Sequence, residues 1–241
     1  MSHIKPIYLF FMHQVKEVKM FMKKTISHVD RVLQQLFGIE EHQDLLISLV
    51  NAILEQEDQV TLLTLLNPYN PQEYHEDQAS CLDIQAQGKD GKGRRIIIQV
   101  NDDEAHEKKA LYDWAKVYTE QFSTEKRDKT PSKTIMIDIL NSNRIPSPDR
   151  YHHVFRLESD SGSWSHLEDL ELHTIELKKF CQDSSKDLVT KIHTPLDRWM
   201  AFLTWPDLLN QEDFPEVFNT PSLKKALHIL EGMHFEGVTI E

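Results

Sequence analysis

The sequence predicts a mixed α/β fold, in which a central sheet carries helices on both of its faces. Two helical patterns come first, a β-hairpin follows, and a helix then separates the hairpin from further strands. Of the 241 residues, 39% are hydrophobic, which is enough to bury one sizeable core. We therefore expect one α/β domain at 26–205, preceded by an appended segment at 1–25 and followed by a short helical tail at 206–241.

The first part of this domain carries apolar residues at helical spacing. One such stretch is 29–37, with Gly38 as the expected C′ residue after it. A second helix is expected at 40–54, with one apolar face formed by Leu45, Leu46, Leu49, Val50 and Ile53. A short apolar strand at 60–66 follows and ends at Asn67-Pro68. By contrast, 1–25 combine an apolar patch with clustered lysines and are expected to be poorly ordered.

The β-hairpin is predicted at 81–100. Residues 81–86 alternate in character with period two, and 96–100 are mostly β-branched. Between them, 88–93 contain three glycines, which tolerate the positive φ of a hairpin turn. Asp is disfavoured within strands, so Asp83 stands out among its apolar neighbours.

The remaining elements follow from the same patterns. The acidic turn 101–104 suits a helix N-terminus, because anions favour the positive end of the helix dipole, and apolar spacing continues that helix to Phe122. Further strands are expected at 134–140, 151–157 and 170–177, with a polar loop around 159–162, and C-terminal helices at 196–203 and 222–233.

Ordered segments spread over most of the chain resemble one protein family. They are 30–38, 45–54, 82–84 with Gln99, 110–118, 151–157, 172–180 and 198–203. In this order, over roughly 29–233, they resemble the recombination-promoting nuclease/transposase family of the PD-(D/E)XK superfamily. The resemblance implies a central mixed sheet flanked by helices, and divalent-metal-dependent DNA cleavage linked to mobile or recombinogenic elements. DNA is the implied partner, and the oligomeric state is left open.

The resemblance also assigns roles to residues of the hairpin. Asp83 corresponds to the metal-binding Asp of the first strand, and Gln99 corresponds to the last residue of a Glu-x-Gln motif on the second. Ile97 occupies the Glu position, and the backbone carbonyl of Ile98 is the implied second metal oxygen. Mg²⁺ or Mn²⁺ would be the cofactor of an active member. Without the resemblance, Asp83 would be read as a hydrogen-bonded strand acid and Gln99 as a polar strand end.

An additional carboxylate is expected from the N-terminal helix. Glu41 is the candidate ligand, with Glu40 and Asp44 beside it, although each also fits an ordinary acid of a helix N-terminus. Asp102 and Asp103 follow Gln99 at the strand exit, but their spacing does not place them at the position of the lost Glu.

Three departures from the family pattern bear on activity. Ile97 offers no oxygen to a metal, Gln34 stands where the first family segment has Lys, and the chain ends at Glu241, soon after 223–227. We therefore expect cleavage to be reduced or lost. The alternative is a non-catalytic nuclease-like protein that binds DNA or a protein partner, or the product of a decaying mobile-element gene.

Charge and composition limit the partners. The formal net charge of −12 argues against an extended basic surface, so any DNA contact must be local. The densest basic cluster lies at the hairpin and consists of Lys89, Lys92, Arg94 and Arg95. This cluster either contacts phosphates or is a solvated hairpin tip.

The remaining residues of note have ordinary interpretations. His152, His153, His166 and His173 lack a zinc-binding spacing and indicate surface or strand histidines. We expect the aromatic residues Trp114, Tyr118 and Trp199 in the core. Two distant cysteines in apolar contexts indicate a reduced, cytoplasmic protein, and the apolar run at 7–12 is too short to span a bilayer.

Overall fold

A computed structural model of the protein describes residues 28–69, 81–101, 106–123, 131–147, 150–157, 169–181, 192–204 and 216–232. Several predictions fall outside these ranges, namely those for the segment 1–25, the loop at 159–162, His166, and the acids Asp102 and Asp103.

The described strands form one mixed sheet of six. They are β1 (Val60–Leu65), β2 (Cys81–Gly88), β3 (Gly93–Asn101), β4 (Lys133–Leu140), β5 (His152–Arg156) and β6 (Leu170–Glu176). Their order across the sheet is β1-β2-β3-β4-β6-β5. The pairs β3–β4 and β4–β6 are parallel, and the other three are antiparallel. The predicted mixed α/β fold is confirmed.

Five of the six described helices lie close to their predicted positions, and the sixth, the short helix at Leu177–Phe180, was not predicted. They are α1 (residues 28–37, of which Leu33–Phe37 form a π-helix), α2 (Gln43–Ile53), α3 (His106–Ser123), α4 (Leu177–Phe180), α5 (Pro195–Thr204) and α6 (Pro221–Gly232). A 3-10 turn at Glu40–His42 precedes α2, and further 3-10 turns lie at Gln56–Asp58 and Glu216–Phe218. The last strand ends at Glu176, and Leu177 instead begins the short helix α4.

One side of the sheet, the core face, carries the main hydrophobic core. Its strand residues include Leu82, Ile84, Ile96, Ile98, Ile135, Ile137, Ile139 and Ile175, which pack with buried residues of α1, α2, α5 and α6. Trp199 of α5 is buried there, as predicted. The last described helix contributes Leu223, Ala226 and Leu230 to the same core, so the C-terminal helix is part of the packed fold.

The opposite side, the site face, carries Asp83, Ile97 and Gln99. Helix α3 covers its β4 part, where buried Trp114 packs on Met136 and donates a hydrogen bond of 3.2 Å from Nε1 to the carbonyl of Thr134. The burial predicted for Trp114 is confirmed. Tyr118, on the same helix, is only partly buried.

Gly38 directly follows the last residue of α1, and its N–H donates to the carbonyl of Gln34, but its φ of −77° lies outside the left-handed region that is usual for a C′ glycine. A Cβ at this position would lie 2.4 Å from the carbonyl oxygen of Gln34 and 3.0 Å from Cβ of Tyr69. Gly38 is therefore required for close backbone approach and not for its conformation.

Candidate active site on the β2–β3 hairpin

Asp83 and Ile97 are direct partners across β2 and β3, and Gln99 is the partner of Cys81 two positions along. Directly opposed residues share a face of an antiparallel pair, and side chains alternate along each strand. The side chains of Asp83, Ile97 and Gln99 therefore point to the same face, as period two predicts. Ile97 is 4% exposed, so an apolar side chain fills the centre of this group.

Asp83 is held by the two residues that follow β1 and by Arg95 of β3. Its backbone N–H donates to Oδ1 of Asn67 at 2.7 Å, and its carbonyl accepts from the N–H of Leu66 at 2.8 Å. Oδ2 of the carboxylate accepts a hydrogen bond of 2.5 Å from Nη2 of Arg95. Oδ1 is buried and has no hydrogen-bond partner among the described residues. The Asp83 side chain, 26% exposed, is thus ion-paired on one oxygen only.

Gln99 is directed towards β4. Its Nε2 donates to Oδ1 of Asp138 at 3.3 Å, and Nδ2 of Asn101 donates to the same oxygen at 2.5 Å. All three side chains are buried. Sequence reasoning missed Asp138, although an Asp within an otherwise apolar strand is the same signal that singled out Asp83.

The carbonyl of Ile98, the implied second metal oxygen, belongs to the β2–β3 ladder. The backbone N–H and C=O of Asp83 bond to residues on the β1 side. Because these groups alternate in direction along a strand, the N–H and C=O of Leu82 point towards β3. Leu82 is the direct partner of Ile98, so the two residues exchange backbone hydrogen bonds. The carbonyl is therefore engaged by the backbone of β2. Its role as a metal ligand stays a prediction.

The structure does not bring the N-terminal acids to this group. Glu41 lies in the 3-10 turn before α2, and α2 packs on the core face, on the other side of the sheet from Asp83. Among the described residues, no hydrogen bond joins Glu41 to the site. Asp44 forms a surface ion pair of 2.6 Å with Lys225 of α6. A ligand role for Glu41 stays a prediction without a supporting contact.

The four cations of the hairpin do not form one patch. Arg94 is buried on the core face, where its guanidinium lies 3.3 Å from Oδ1 of Asp58 and 3.0 Å from Oδ1 of Asp90. Arg95 points to the opposite face and pairs with Asp83. Only Lys89 and Lys92 are exposed at the turn, where Nζ of Lys89 donates to Oε1 of Gln59. Arg94 is therefore shielded from a DNA phosphate, while contact by the other three stays a prediction.

A divalent cation does not fit these residues well. The buried, unpartnered Oδ1 of Asp83 could accept a ligand, but Oδ2 is ion-paired and Ile97 supplies no oxygen. Burial, and then the charges of Asp83 and Asp113, raise the pKa of the Cys81 thiol to about 11, so the neighbouring cysteine offers no thiolate at neutral pH. The described ranges contain no cluster of three or more His, Cys, Asp or Glu residues that could hold a metal.

Comparison with known proteins places the chain in a family. The family model described as PD-(D/E)XK nuclease family transposase matches residues 27–240. Neither a curated protein nor a solved structure matches the chain. Within the described ranges, every helix is too short or too polar to span a bilayer. The match extends over nearly the whole sequence and agrees with the mixed sheet flanked by helices, so the chain belongs to the PD-(D/E)XK nuclease family transposases.

Proposed function

We propose that this protein keeps the nuclease fold of its family while metal-dependent DNA cleavage is reduced or lost. The main observation in support of this proposal is that Ile97 lies directly opposite Asp83 across β2 and β3. An apolar, buried side chain stands directly opposite the strand carboxylate, at the position that the family resemblance gives to a metal-binding Glu.

The chemistry explains why this position matters. Hydrolysis of a phosphodiester requires a cation that polarises the phosphate and lowers the pKa of an attacking water. Mg²⁺ takes oxygen ligands in near-octahedral geometry and is usually held by one or two carboxylates with water and substrate phosphate. On the face that carries Ile97 and Gln99, the β2–β3 hairpin supplies one carboxylate, Asp83, and that carboxylate already carries an ion pair with Arg95. Weak or absent binding of Mg²⁺ or Mn²⁺ follows.

DNA is the partner that we propose from the family. The exposed cations of the hairpin are few, and Arg94 is occupied by Asp58 and Asp90, so the contact would engage a small number of phosphates. A protein that neutralises few phosphates binds DNA weakly, and its affinity changes little with salt concentration.

The test is cleavage of supercoiled plasmid by the full chain with Mg²⁺, Mn²⁺ or EDTA, beside the variant Asp83→Asn. We expect nicking by the wild type to match that of Asp83→Asn and that of the EDTA sample. Metal-dependent nicking by the wild type that Asp83→Asn abolishes would overturn the proposal.

A further inference from the structure

The carboxylate of Asp83 has a cationic partner built into the neighbouring strand. Arg95 is the partner of Gln85 in the β2–β3 register, so it lies diagonally from Asp83 on the same face. Diagonal neighbours in an antiparallel pair are within reach of a long side chain. Nη2 of Arg95 lies 2.5 Å from Oδ2 of Asp83, and both side chains are about three-quarters buried, at 22% and 26% exposed.

We propose that Arg95 is the resident counter-ion of Asp83 and takes the charge position that a divalent cation would hold. The inference rests on the proposed function and deepens it, because it identifies a second obstacle to metal binding beside Ile97. Ile97 removes a ligand from the site, whereas Arg95 adds a positive charge to it.

Two physical arguments support this assignment. A carboxylate shielded from water needs a compensating charge, and Arg95 provides it within the hairpin itself. A divalent cation at Asp83 would meet the guanidinium at short range, where the repulsion of like charges is screened little by solvent. The metal would therefore have to displace the arginine before it could use both carboxylate oxygens.

The hydrogen bonding between Asp83 and Arg95 is incomplete, which agrees with an arginine in the position of a metal ion. Oδ1 of Asp83 and Nε of Arg95 are both buried without a hydrogen-bond partner among the described residues. A guanidinium and a carboxylate in side-on geometry would use both oxygens and two nitrogens. The single contact here means that the pair neutralises charge without saturating either group.

Arg95 also affects any attempt to restore metal binding by mutation. Restoring a carboxylate by Ile97→Glu places the new side chain beside Arg95 as well as beside Asp83, since residues 95 and 97 share a face of β3. Arg95 would then neutralise two carboxylates. Ile97→Glu alone should gain little metal binding, and removal of Arg95 together with Ile97→Glu should gain much more.

The test measures the thermal unfolding midpoint of full-length chains with and without Mn²⁺. The chains are the wild type, I97E, R95Q and R95Q/I97E. A cation that binds the folded state raises stability by mass action. Free Mn²⁺ at about ten times the Kd of R95Q/I97E therefore raises the unfolding midpoint of that variant by roughly 3–5 °C for a chain of this size, and all chains are compared at this concentration. We expect that rise in R95Q/I97E, no rise in the wild type, and less than half of it in I97E or R95Q.

Two control variants test whether the rise in midpoint depends on Asp83 and on Arg95. Adding Asp83→Asn to R95Q/I97E should abolish the rise, because the ligand is removed. K92Q/I97E should behave like I97E, because Lys92 is an exposed cation of the same hairpin that does not contact Asp83. If R95Q/I97E does not unfold cooperatively, R95M/I97D repeats the measurement with different side chains.

The outcomes separate this inference from the proposed function. A rise in I97E as large as that in R95Q/I97E overturns the role of Arg95 and leaves the proposed loss of cleavage intact. A folded R95Q/I97E chain without any rise also overturns it. Metal-dependent, Asp83-dependent cleavage by the wild type would instead overturn the proposed function.

Discussion

Glu171 accepts a hydrogen bond of 2.6 Å from Nε2 of His173, and both side chains are completely buried. The second carboxylate oxygen accepts hydrogen bonds from Nζ of Lys133 at 3.1 Å and from Nε of Arg156 at 2.8 Å. Burial alone would raise the pKa of Glu171, but the hydrogen bond from His173 and the charge of Lys133 lower it to about 2. Glu171 is therefore ionised at neutral pH and joins β4, β5 and β6.

Replacing Glu171 should be strongly destabilising. Glu171→Gln keeps the size of the side chain but removes the anion that Lys133 and Arg156 share. Lys133 keeps Asp58 and Arg156 keeps Glu55, so we expect a cost of about 1–3 kcal/mol from the lost hydrogen bonds of a buried charged group. Urea unfolding followed by circular dichroism measures the loss. The control is Glu57→Gln at an exposed position of the same molecule, which should change stability by less than about 0.5 kcal/mol. Equal stabilities for the two variants would contradict the prediction.

Stability should fall as the pH falls below neutrality. Burial, and then the charge of His173, lower the pKa of His152 to about 3, and burial and Arg31 lower that of His28 to about 4. Both histidines take up protons more readily when unfolded, so the folded state loses stability as the pH falls from 6.5 towards these values. Glu171, with its pKa lowered from 4.5 to about 2, adds to the loss below pH 4.5.

The check is the free energy of unfolding between pH 6.5 and pH 5, the window in which the histidines act. Each histidine contributes a slope of up to about 1.4 kcal/mol per pH unit there. His152→Gln should flatten the profile, since glutamine does not titrate. A variant with the same slope as the wild type would show that His152 is not among the responsible groups.

Period two explains what could be predicted of the site. It is a local property of a strand, so the sequence alone predicts that Ile97 and Gln99 share one face, and the β2–β3 register agrees. The same rule puts consecutive residues on opposite faces, which makes one patch containing both Arg94 and Arg95 impossible. The prediction of a joint basic cluster followed sequence proximity and ignored strand geometry.

The partners of the site residues could not be predicted in this way. Gln99 contacts Asp138, which lies on β4 after an intervening helix, and that contact depends on the parallel β3–β4 register. His173 is a strand histidine, as predicted, but its burial against Glu171 depends on how β6 pairs with β4 and β5. Such pairings join segments far apart in the chain, and local pattern does not specify them.

Gly38→Ala should destabilise the fold through a steric clash. The added Cβ would meet the backbone oxygen of Gln34 at 2.4 Å, and a backbone atom cannot move aside as a flexible side chain can. Overpacking of this kind costs about 1–3 kcal/mol. Gly232→Ala is the matched control, because a Cβ there has no neighbour within 4 Å among the described atoms. The measurement is the thermal unfolding midpoint of the two variants. A Gly38→Ala midpoint equal to that of Gly232→Ala would contradict the predicted clash.

Asp138→Leu should destabilise the protein although leucine suits an apolar strand. The aspartate accepts hydrogen bonds from the buried amides of Gln99 and Asn101, and leucine would leave both donors without this acceptor. A buried polar group that loses its partner costs about 1–3 kcal/mol.

The companion variant replaces the donors as well. If the loss arises because the two amides lose this acceptor, Gln99→Leu and Asn101→Leu added to Asp138→Leu should recover part of the stability, because apolar groups then replace both sides of each hydrogen bond. Chemical denaturation of the wild type, the single variant and the triple variant measures this recovery. A triple variant less stable than Asp138→Leu would contradict the prediction, because it would show that Gln99 and Asn101 stabilise the fold through contacts other than those with Asp138.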